Sequence, residues 1–373
     1  MPSKVYKNGS IYQGEMMQGM RHGYGVIDTK DGNRYEGEWE NDMPSGQGVY
    51  TYADGSYYDG HFEAGKPSGE GKMYFSDGSY YEGAWKNGNY NGVGTEYDPA
   101  KGSKYRGDFV DGVREGTGEE VLEEKNEVYR GEWKGGVRHG YGQIHRGEKL
   151  YYDGDFENGR PHGTGRFTYA NGETYEGDVK EGKKHGKGKY VFASGGTYVG
   201  EFKNDSIEGE GTETMASGDV FTGTRVNGRR SGWGVYVHKN GSRYEGNYKN
   251  GAPNGKGTYF YADGDKYVGD FKDGERSGYG EYFHANGAHY SGEYKNNYPW
   301  GKGKYVYSRG GSYEGDFVNG ERMGFGTYRF PNGDYYTGEF KKGNFHGKGE
   351  YHYADGRVKK GVWKDDVYVG EGN

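Results

Sequence analysis

The stretch that decides the fold is Tyr35–Gly60, YEGEWENDMPSGQGVYTYADGSYYDG. It begins with Tyr-Glu-Gly-Glu-Trp and ends on Tyr-Asp-Gly, where the same pattern starts again. The Tyr-x-Gly motif recurs at steps of 23 residues, with two steps of 24 between Tyr81 and Tyr129. A fixed period of this length indicates a repeat protein. We therefore predict one array over residues 1–373, with repeats that start near residues 12, 35, 58, 81, 105, 129, 152, 175, 198, 221, 244, 267, 290, 313, 336 and 359.

Each repeat has the pattern of a β-hairpin. In Tyr58–Phe62 the aromatic residues and the glycine between them share one face, because strand side chains alternate. Dipeptides such as Asp54-Gly55 predict type I′ turns, and the other connection, from Glu40 to Ser45, reads as a polar loop of moderate length. The predicted fold class is all-β: an elongated, solenoid-like single antiparallel sheet of consecutive hairpins, about 150 Å long.

The glycines inside the strands predict close packing of aromatic rings. A glycine between two aromatic residues has no Cβ, so a ring can lie flat against the backbone there. We expect a structural column in which rings alternate with glycines along the sheet. Its best-matched members are Tyr35, Gly37, Trp39, Tyr58, Gly60, Phe62, Tyr81, Gly83 and Trp85.

Composition limits the class of protein. The chain has 78 glycines, 42 tyrosines and no cysteine, and 17% of its residues are aromatic, which is too many for intrinsic disorder. The formal net charge is −7, and basic and acidic residues are interspersed along the chain, so we expect no nucleic acid partner. The start of the chain lacks the apolar core of a signal peptide, and no apolar run is long enough to span a membrane. These features predict a cytoplasmic protein.

The motif resembles the MORN (membrane occupation and recognition nexus) repeat. Tyr35-Glu-Gly37-Glu-Trp39 and Arg138-His-Gly-Tyr-Gly142 are close to its consensus, and the register covers residues 4–373. The resemblance implies an elongated, twisted and grooved β-sheet. It says less about function, because MORN arrays occur beside lipid kinases, in lysine methyltransferases, in junctional membrane proteins, in radial-spoke components and in free-standing scaffolds.

The sequence offers no pattern of catalytic residues. Gly-x-Gly precedes a strand here, whereas a dinucleotide-binding loop opens a helix, so these glycines are interpreted as turn residues. Histidines precede Gly-x-Gly at His22, His139, His162, His185 and His346. Their spacing of one repeat, about 10 Å, is too long for shared metal ligation within one chain. We expect a non-enzymatic protein without a catalytic residue, metal or cofactor.

Departures from the repeat are the candidates for specific recognition. Arg225 replaces the expected aromatic residue of the tenth repeat. This substitution could mark a partner site or a bend, or it could be sequence drift. Other departures are Glu123, Glu124 and Arg146, around the inserted residues. The lysines of the densest basic segment form a candidate patch for anionic phospholipid, although they also fit an ordinary solvated loop: Lys183, Lys184, Lys187 and Lys189.

The function predicted from the sequence is a non-enzymatic, rod-like scaffold that organises protein partners in a cytoskeletal assembly. Its setting is a ciliary axoneme with radial spokes, or a basal-body or cortical structure. The alternative is a phosphoinositide-binding adaptor between membrane and cytoskeleton. The column aromatics either anchor a partner or are fully used by stacking on one another. Self-association through terminal repeats is a further expectation, which the resemblance to dimeric MORN proteins supports.

Overall fold

The computed structural model of the protein describes residues 3–372. Strands form most of this chain, and the helical structure within it is a single 3-10 turn at Glu123–Lys125. No helix in this range is long and apolar enough to cross a membrane. The chain divides into two compact units: the first ends at His185 and the second begins at Gly186.

In the first unit each strand from β1 to β15 pairs antiparallel with the next strand along the chain. The division between the units falls within β17. The strands are β1 Ser3–Val5, β2 Ile11–Met17, β3 Met20–Asp28, β4 Arg34–Glu40, β5 Met43–Thr51, β6 Tyr57–Glu63, β7 Lys66–Tyr74, β8 Tyr80–Lys86, β9 Asn89–Asp98, β10 Ser103–Val110, β11 Val113–Leu122, β12 Glu127–Lys134, β13 Val137–Arg146, β14 Lys149–Glu157, β15 Arg160–Thr168, β16 Thr174–Lys180 and β17 Lys183–Val191.

The second unit continues the same pattern, with antiparallel pairs from β17–β18 to β32–β33. The prediction of an all-β fold made of consecutive antiparallel hairpins is confirmed. The strands are β18 Thr197–Lys203, β19 Ser206–Thr214, β20 Val220–Val226, β21 Arg229–Val237, β22 Arg243–Lys249, β23 Ala252–Phe260, β24 Lys266–Lys272, β25 Glu275–Phe283, β26 His289–Lys295, β27 Tyr298–Val306, β28 Ser312–Val318, β29 Glu321–Arg329, β30 Tyr335–Lys341, β31 Asn344–His352, β32 Val358–Lys364 and β33 Val367–Gly370.

The two turns of each repeat differ from those expected. Asn41 and Asp42 both have positive φ (51° and 65°), so the predicted polar loop is a two-residue hairpin turn of the I′ kind. The I′ prediction at Asp54-Gly55 is wrong. Tyr52 N–H donates to the Ser56 carbonyl, which closes a three-residue loop, and in this dipeptide only Gly55 has positive φ. The Asp54 side chain instead accepts the Ser56 N–H at 2.9 Å.

The glycines of successive strands face one another across the sheet. Gly37 pairs with Gly48, Gly48 with Gly60, and Gly60 with Gly71, which makes a row of glycines along the unit. The Tyr58 ring lies over Gly60 and Gly71. A Cβ added to these glycines would lie only 2.5 and 2.2 Å, respectively, from the Tyr58 hydroxyl oxygen. This overlap requires glycine in both strands.

The tyrosine hydroxyl has a second task. The register between β6 and β7 shifts between Gly60 and Phe62, as in a β-bulge, so His61 has no partner in β7. Tyr58 donates its hydroxyl hydrogen to the His61 carbonyl at 2.9 Å. The same bond, to the carbonyl three residues on, is made by the tyrosines of most other repeats: Tyr12, Tyr35, Tyr81, Tyr105, Tyr129, Tyr152, Tyr175, Tyr198, Tyr244, Tyr267, Tyr290, Tyr313 and Tyr336. It gives this carbonyl a hydrogen-bond partner at the bulge.

A recurring acidic residue supports the same bulge from the other face. Glu38 accepts the backbone N–H of Gln47 at 3.2 Å, and Asp316 accepts that of Phe325 at 3.0 Å. The donor follows a glycine with positive φ, such as Gly46 at 75°. These periodic carboxylates therefore have a structural role as hydrogen-bond acceptors.

Replacing Gly60 by alanine should destabilise the first unit. The added Cβ would lie 2.5 Å from both Gly71 Cα and the Tyr58 hydroxyl oxygen, and the backbone atom cannot move aside cheaply. We expect a loss of about 1–3 kcal/mol, the usual cost of overpacking, measured by thermal and denaturant unfolding.

Gly196→Ala is the matched control. Its Cβ would approach no heavy atom closer than 3.0 Å, and the equivalent position of other repeats already holds a side chain, as at Ser56 and Ser242. An equal loss of stability in the two variants would contradict the argument from the glycine row.

Candidate functional site

In each unit the buried rings form a column on the face that carries the tyrosines, called here the column face. Trp39 packs edge-on against Tyr12 of the preceding repeat, with ring centroids 5.5 Å apart, and against Tyr35 of its own repeat at 5.1 Å. Tyr35 in turn contacts Phe62 at 5.1 Å. This edge-to-face order, worth about 0.5–1.5 kcal/mol per pair beyond burial, repeats through Tyr58, Trp85 and Tyr81. The structure thus brings together the ring and glycine positions named from the sequence.

The column is closed to partners. Tyr58 and Tyr81 are fully buried, and Trp85, the most exposed of the predicted rings, is 8% exposed. Burial raises the pKa of Tyr244 to about 12 and that of Tyr35 further. Of the two alternatives left by the sequence, this geometry favours the use of the column rings in stacking.

Arg225 interrupts the column in the second unit. Its guanidinium pairs with the Glu213 carboxylate, donates to the Gly228 carbonyl at 2.7 Å, and lies 5.5 Å from the centre of the Phe221 ring. Glu213 stands where other repeats have an aromatic residue, and Arg230 also reaches it, at 3.4 Å. The Arg225 side chain is only 11% exposed, which favours an internal compensating role over contact with a partner.

Charged residues form a ladder in the first unit, where Glu96 and Glu120 replace aromatic residues of other repeats. Arg114 contacts Glu96 at 2.8 Å and Glu120 at 2.9 Å, and Arg138 links Glu120 at 2.8 Å to Glu127 at 3.2 Å. The side chains of Arg138 and Glu120 are each 13% exposed. Each guanidinium also stacks on a tyrosine: Arg114 on Tyr105 at 4.5 Å and Arg138 on Tyr129 at 4.7 Å. The sequence analysis missed this network.

The predicted departures near this ladder lie in different environments. Arg146 is its last member, bound to Glu127 at 3.3 Å and stacked on Tyr151 at 3.6 Å, with 53% of its side chain exposed. Glu123 and Glu124 lie on the exposed 3-10 turn after β11. These two carboxylates are exposed and lie outside the ladder.

The four lysines of the candidate lipid patch all belong to β17 but are divided between the two units. In the first unit Lys183 is exposed, whereas Lys184 turns to the column face, with Nζ 3.3 Å from the Tyr169 hydroxyl. In the second unit Lys187 and Lys189 are exposed on β17 and pair across the ladder with Glu201 and Val199. Lipid binding by these lysines stays a prediction.

A second aromatic row runs beside the column in the second unit. Its rings are half-buried and form a continuous zigzag, as in Tyr259–Tyr261 at 4.5 Å, Tyr261–Tyr282 at 5.6 Å and Tyr282–His284 at 4.7 Å. We call it the second row; its members are Tyr236, His238, Tyr259, Tyr261, Tyr282, His284, Tyr305, Tyr307, Tyr328, Phe330, Tyr351 and Tyr353.

Three aromatic residues project from the opposite face of the second unit. Trp233, Tyr279 and Phe325 are 59%, 55% and 58% exposed, and they are the middle residues of Gly-x-Gly in alternate repeats. Lysines such as Lys256 and Lys302 occupy the same position in the repeats between them. We call the three aromatics the exposed ridge. The sequence signal for this ridge is the recurrence of an aromatic residue between the two glycines at every second repeat, that is, every 46 residues.

The histidines do not assemble into a metal site. Within residues 3–372 no three histidine or acidic side chains are placed to hold a metal ion together. His162 instead lies 3.3 Å from Glu157.

Hairpins that repeat through one ring column and one glycine row define an all-β repeat protein of the scaffold or binding class. The chain belongs to the MORN repeat family. The MORN repeat model matches residues 12–34, 35–57, 58–80, 81–102, 105–123, 129–147, 152–174, 175–197, 198–220, 221–243, 244–266, 267–289, 290–312, 313–335 and 336–356. The sixteenth repeat, near residue 359, falls outside these matches, yet β32 and β33 form its hairpin.

Solved structures resemble this chain only distantly. One is the TCP domain of Drosophila melanogaster SAS-4 (dCPAP) in complex with a proline-rich motif of Ana2: 11% identity, TM-score 0.28, 48% of this chain and 90% of that one covered. Another is the TCP10 domain of Danio rerio CPAP with a STIL peptide: 13% identity, TM-score 0.22, 54% and 96% covered. These scores carry no functional argument. Comparison with curated proteins gives no match.

Arg225 and Glu213 should behave as one energetic unit. Arg225→Phe or Glu213→Tyr alone removes one partner of a largely buried pair, whereas the double change restores the usual aromatic residues at both positions. A double-mutant cycle by denaturant unfolding should give a coupling energy of about 1–3 kcal/mol, with the double variant more stable than either single one. Additive effects would show that the two substitutions are independent.

Acid should weaken the first unit through Glu120. Burial raises the pKa of this carboxyl, but Arg138 and Arg114 outweigh burial and hold the pKa below its ordinary value of 4.5. A lowered folded-state pKa contributes stability above pH 4.5 that is lost as pH falls through the folded pKa. Glu120→Gln should therefore cost stability at neutral pH, and this difference should shrink below pH 4.5.

The control is Glu123→Gln, which changes an exposed carboxylate outside the ladder. The measurement is a set of unfolding curves for the two variants and the unchanged protein, recorded between about pH 3 and pH 7 in steps of about 0.5 pH unit. A stability difference for Glu120→Gln that stays constant over this range would refute the link to its ionisation.

Proposed function

We propose that this protein is a non-enzymatic scaffold that binds protein partners and organises them in a cytoskeletal assembly in the cytoplasm. Membership of the MORN family supports the scaffold or binding role. Two settings follow from the resemblance: a ciliary axoneme with radial spokes, or a basal-body or cortical structure.

The observation that carries the proposal is the exposed ridge. Aromatic side chains such as Trp233, 59% exposed, are common as anchors of protein interfaces. Three of them at intervals of two repeats would be about 19 Å apart, the width of four strands. Such spaced anchors allow contacts that add along one partner or engage several partners at once.

The test is proximity labelling in source cells with the full chain and with Trp233→Ala/Tyr279→Ala/Phe325→Ala. We expect cytoskeletal proteins among the labelled set and their loss in the triple variant, because the anchoring area is removed. Tyr298→Ala is the matched control, since Tyr298 is 56% exposed in the same unit but lies outside the ridge. A labelled set without cytoskeletal proteins, or one unchanged by the triple variant, would contradict the proposal.

The alternative function is a phosphoinositide-binding adaptor. The exposed Lys187 and Lys189 in the second unit support it, at about 1 kcal/mol per lysine near an anionic surface. Co-sedimentation with phosphoinositide vesicles, with the unchanged chain and with these lysines replaced by glutamate, distinguishes the two functions. Binding that depends on the lysines would favour the adaptor.

A further inference from the structure

The second row of the second unit is an accessible aromatic surface, distinct from both the closed column and the exposed ridge. Its rings are half-buried, so one side of each packs on the unit while the other faces solvent. Each repeat contributes one pair, for example Tyr259 with Tyr261 and Tyr305 with Tyr307, whose centroids lie 4.5 and 4.7 Å apart. The row therefore presents equivalent aromatic pairs at the interval of one repeat.

This interval selects the conformation of a chain lying across the strands. Two strand spacings amount to about 9.6 Å per repeat. A polyproline II helix rises about 9.3 Å in one turn of three residues, so it meets successive pairs with the same face. An α-helix covers the interval in about 6.4 residues and would rotate its contact face by about 80° at each repeat. An extended strand also advances about three residues, but alternating side chains would turn every second contact away.

The chemistry of the row suits the same ligand. Proline rings pack against aromatic faces, and the polyproline II backbone keeps its carbonyl groups free to accept hydrogen bonds. The hydroxyls of Tyr236, Tyr282 and Tyr351 are held by Asp219, Asp265 and Asp334 at 2.7–2.8 Å. Those of Tyr259 and Tyr305 have no hydrogen-bond partner within residues 3–372, and they can donate to carbonyls of a bound chain.

Two guanidinium groups add charge to this surface. Arg276 lies 5.3 Å from the centre of the Tyr282 ring, and Arg322 lies 5.0 Å from that of Tyr328. Within residues 3–372 neither arginine has a carboxylate partner within 4.0 Å; Arg276 donates to the Asn297 carbonyl at 2.7 Å and Arg322 to the Tyr307 hydroxyl at 3.3 Å. Each guanidinium has five N–H donors, so donors remain for an anionic group.

The arginines also match the ligand in spacing. They are two repeats apart, about 19 Å, which six polyproline II residues span at about 18.6 Å. The Asp265 carboxylate beside the row is engaged by the Tyr282 hydroxyl at 2.7 Å and the Ala285 N–H at 2.8 Å. We propose that the second row binds a proline-rich segment of a protein partner, and that this segment carries acidic residues at six-residue intervals. This proposal rests on the proposed role in protein binding.

The test is fluorescence polarisation of labelled synthetic peptides with the full chain. The probe is a proline peptide of about 24 residues with glutamate at every sixth position. A peptide of equal composition with glutamate at every fifth position, and one with lysine in place of glutamate, control for composition and charge. We expect the first peptide to bind and both others to bind at least about tenfold more weakly.

The protein variants separate this surface from general electrostatics. Arg276→Gln/Arg322→Gln keeps N–H donors to the surrounding carbonyls but removes both charges, and should raise the Kd about tenfold while the thermal midpoint is preserved. Lys256→Gln/Lys302→Gln is the matched control, because these lysines are also two repeats apart but lie on the opposite face, paired with Asp270 and Asp316 at 2.8 and 2.6 Å. It should leave the Kd unchanged.

Absence of binding at millimolar peptide, equal affinity for the five- and six-residue spacings, or equal effects of the two double variants would overturn the proposal. Any of these results leaves the ridge-dependent protein contacts untouched, because Trp233, Tyr279 and Phe325 lie on the other face. Loss of ridge-dependent labelling together with retained peptide binding would instead remove only the cytoskeletal role of the ridge.

Discussion

The structure depends on one packing arrangement: a tyrosine ring that lies flat over two paired glycines and donates its hydroxyl to the carbonyl of a bulge. At Tyr58 the ring covers Gly60 and Gly71, and the hydroxyl reaches the His61 carbonyl at 2.9 Å. Each part requires the others. The bulge leaves a carbonyl without a ladder partner, the hydroxyl satisfies it, and only glycine leaves room for the ring. Phe221 keeps the ring but has no hydroxyl, and this is also the repeat in which Arg225 enters the column.

Column rings pack edge to face against rings of their own and of neighbouring repeats, as Trp39 does against Tyr35 and Tyr12, so these residues serve mainly to stabilise the fold. Features that distinguish one repeat from another can therefore occur in two places. One lies inside, where charges replace rings in mutually compensating sets, as in Arg225 with Glu213 and in the ladder around Arg138. The other lies on the surfaces of the second unit, where the exposed ridge and the second row present aromatic side chains that the packing does not consume. A repeat protein of this design can vary its contacts without changing its hairpins.

Much of the hairpin could be predicted, because alternation within a strand and the 23-residue period are local properties of the chain. The two turns were exchanged in the prediction for a specific reason. Asn41-Asp42 and Asp54-Gly55 both contain residues that tolerate positive φ, and only strand pairing shows which connection has two residues and which has three. The hydroxyl bond of Tyr58 was also missed, since it depends on a bulge that appears only when the strands are paired.

The sequence by itself determined the family, the antiparallel hairpins and the positions of rings and glycines, because each is specified by residues close together in one repeat. Only the tertiary structure decided what the departures do. Arg225 and Glu213 are 12 residues apart in the chain and meet only because their strands are placed side by side. Lys184 and Lys187 are close in sequence but lie in different environments. Whether a charge is neutralised, or an aromatic ring is exposed, depends on groups that strand pairing brings near it.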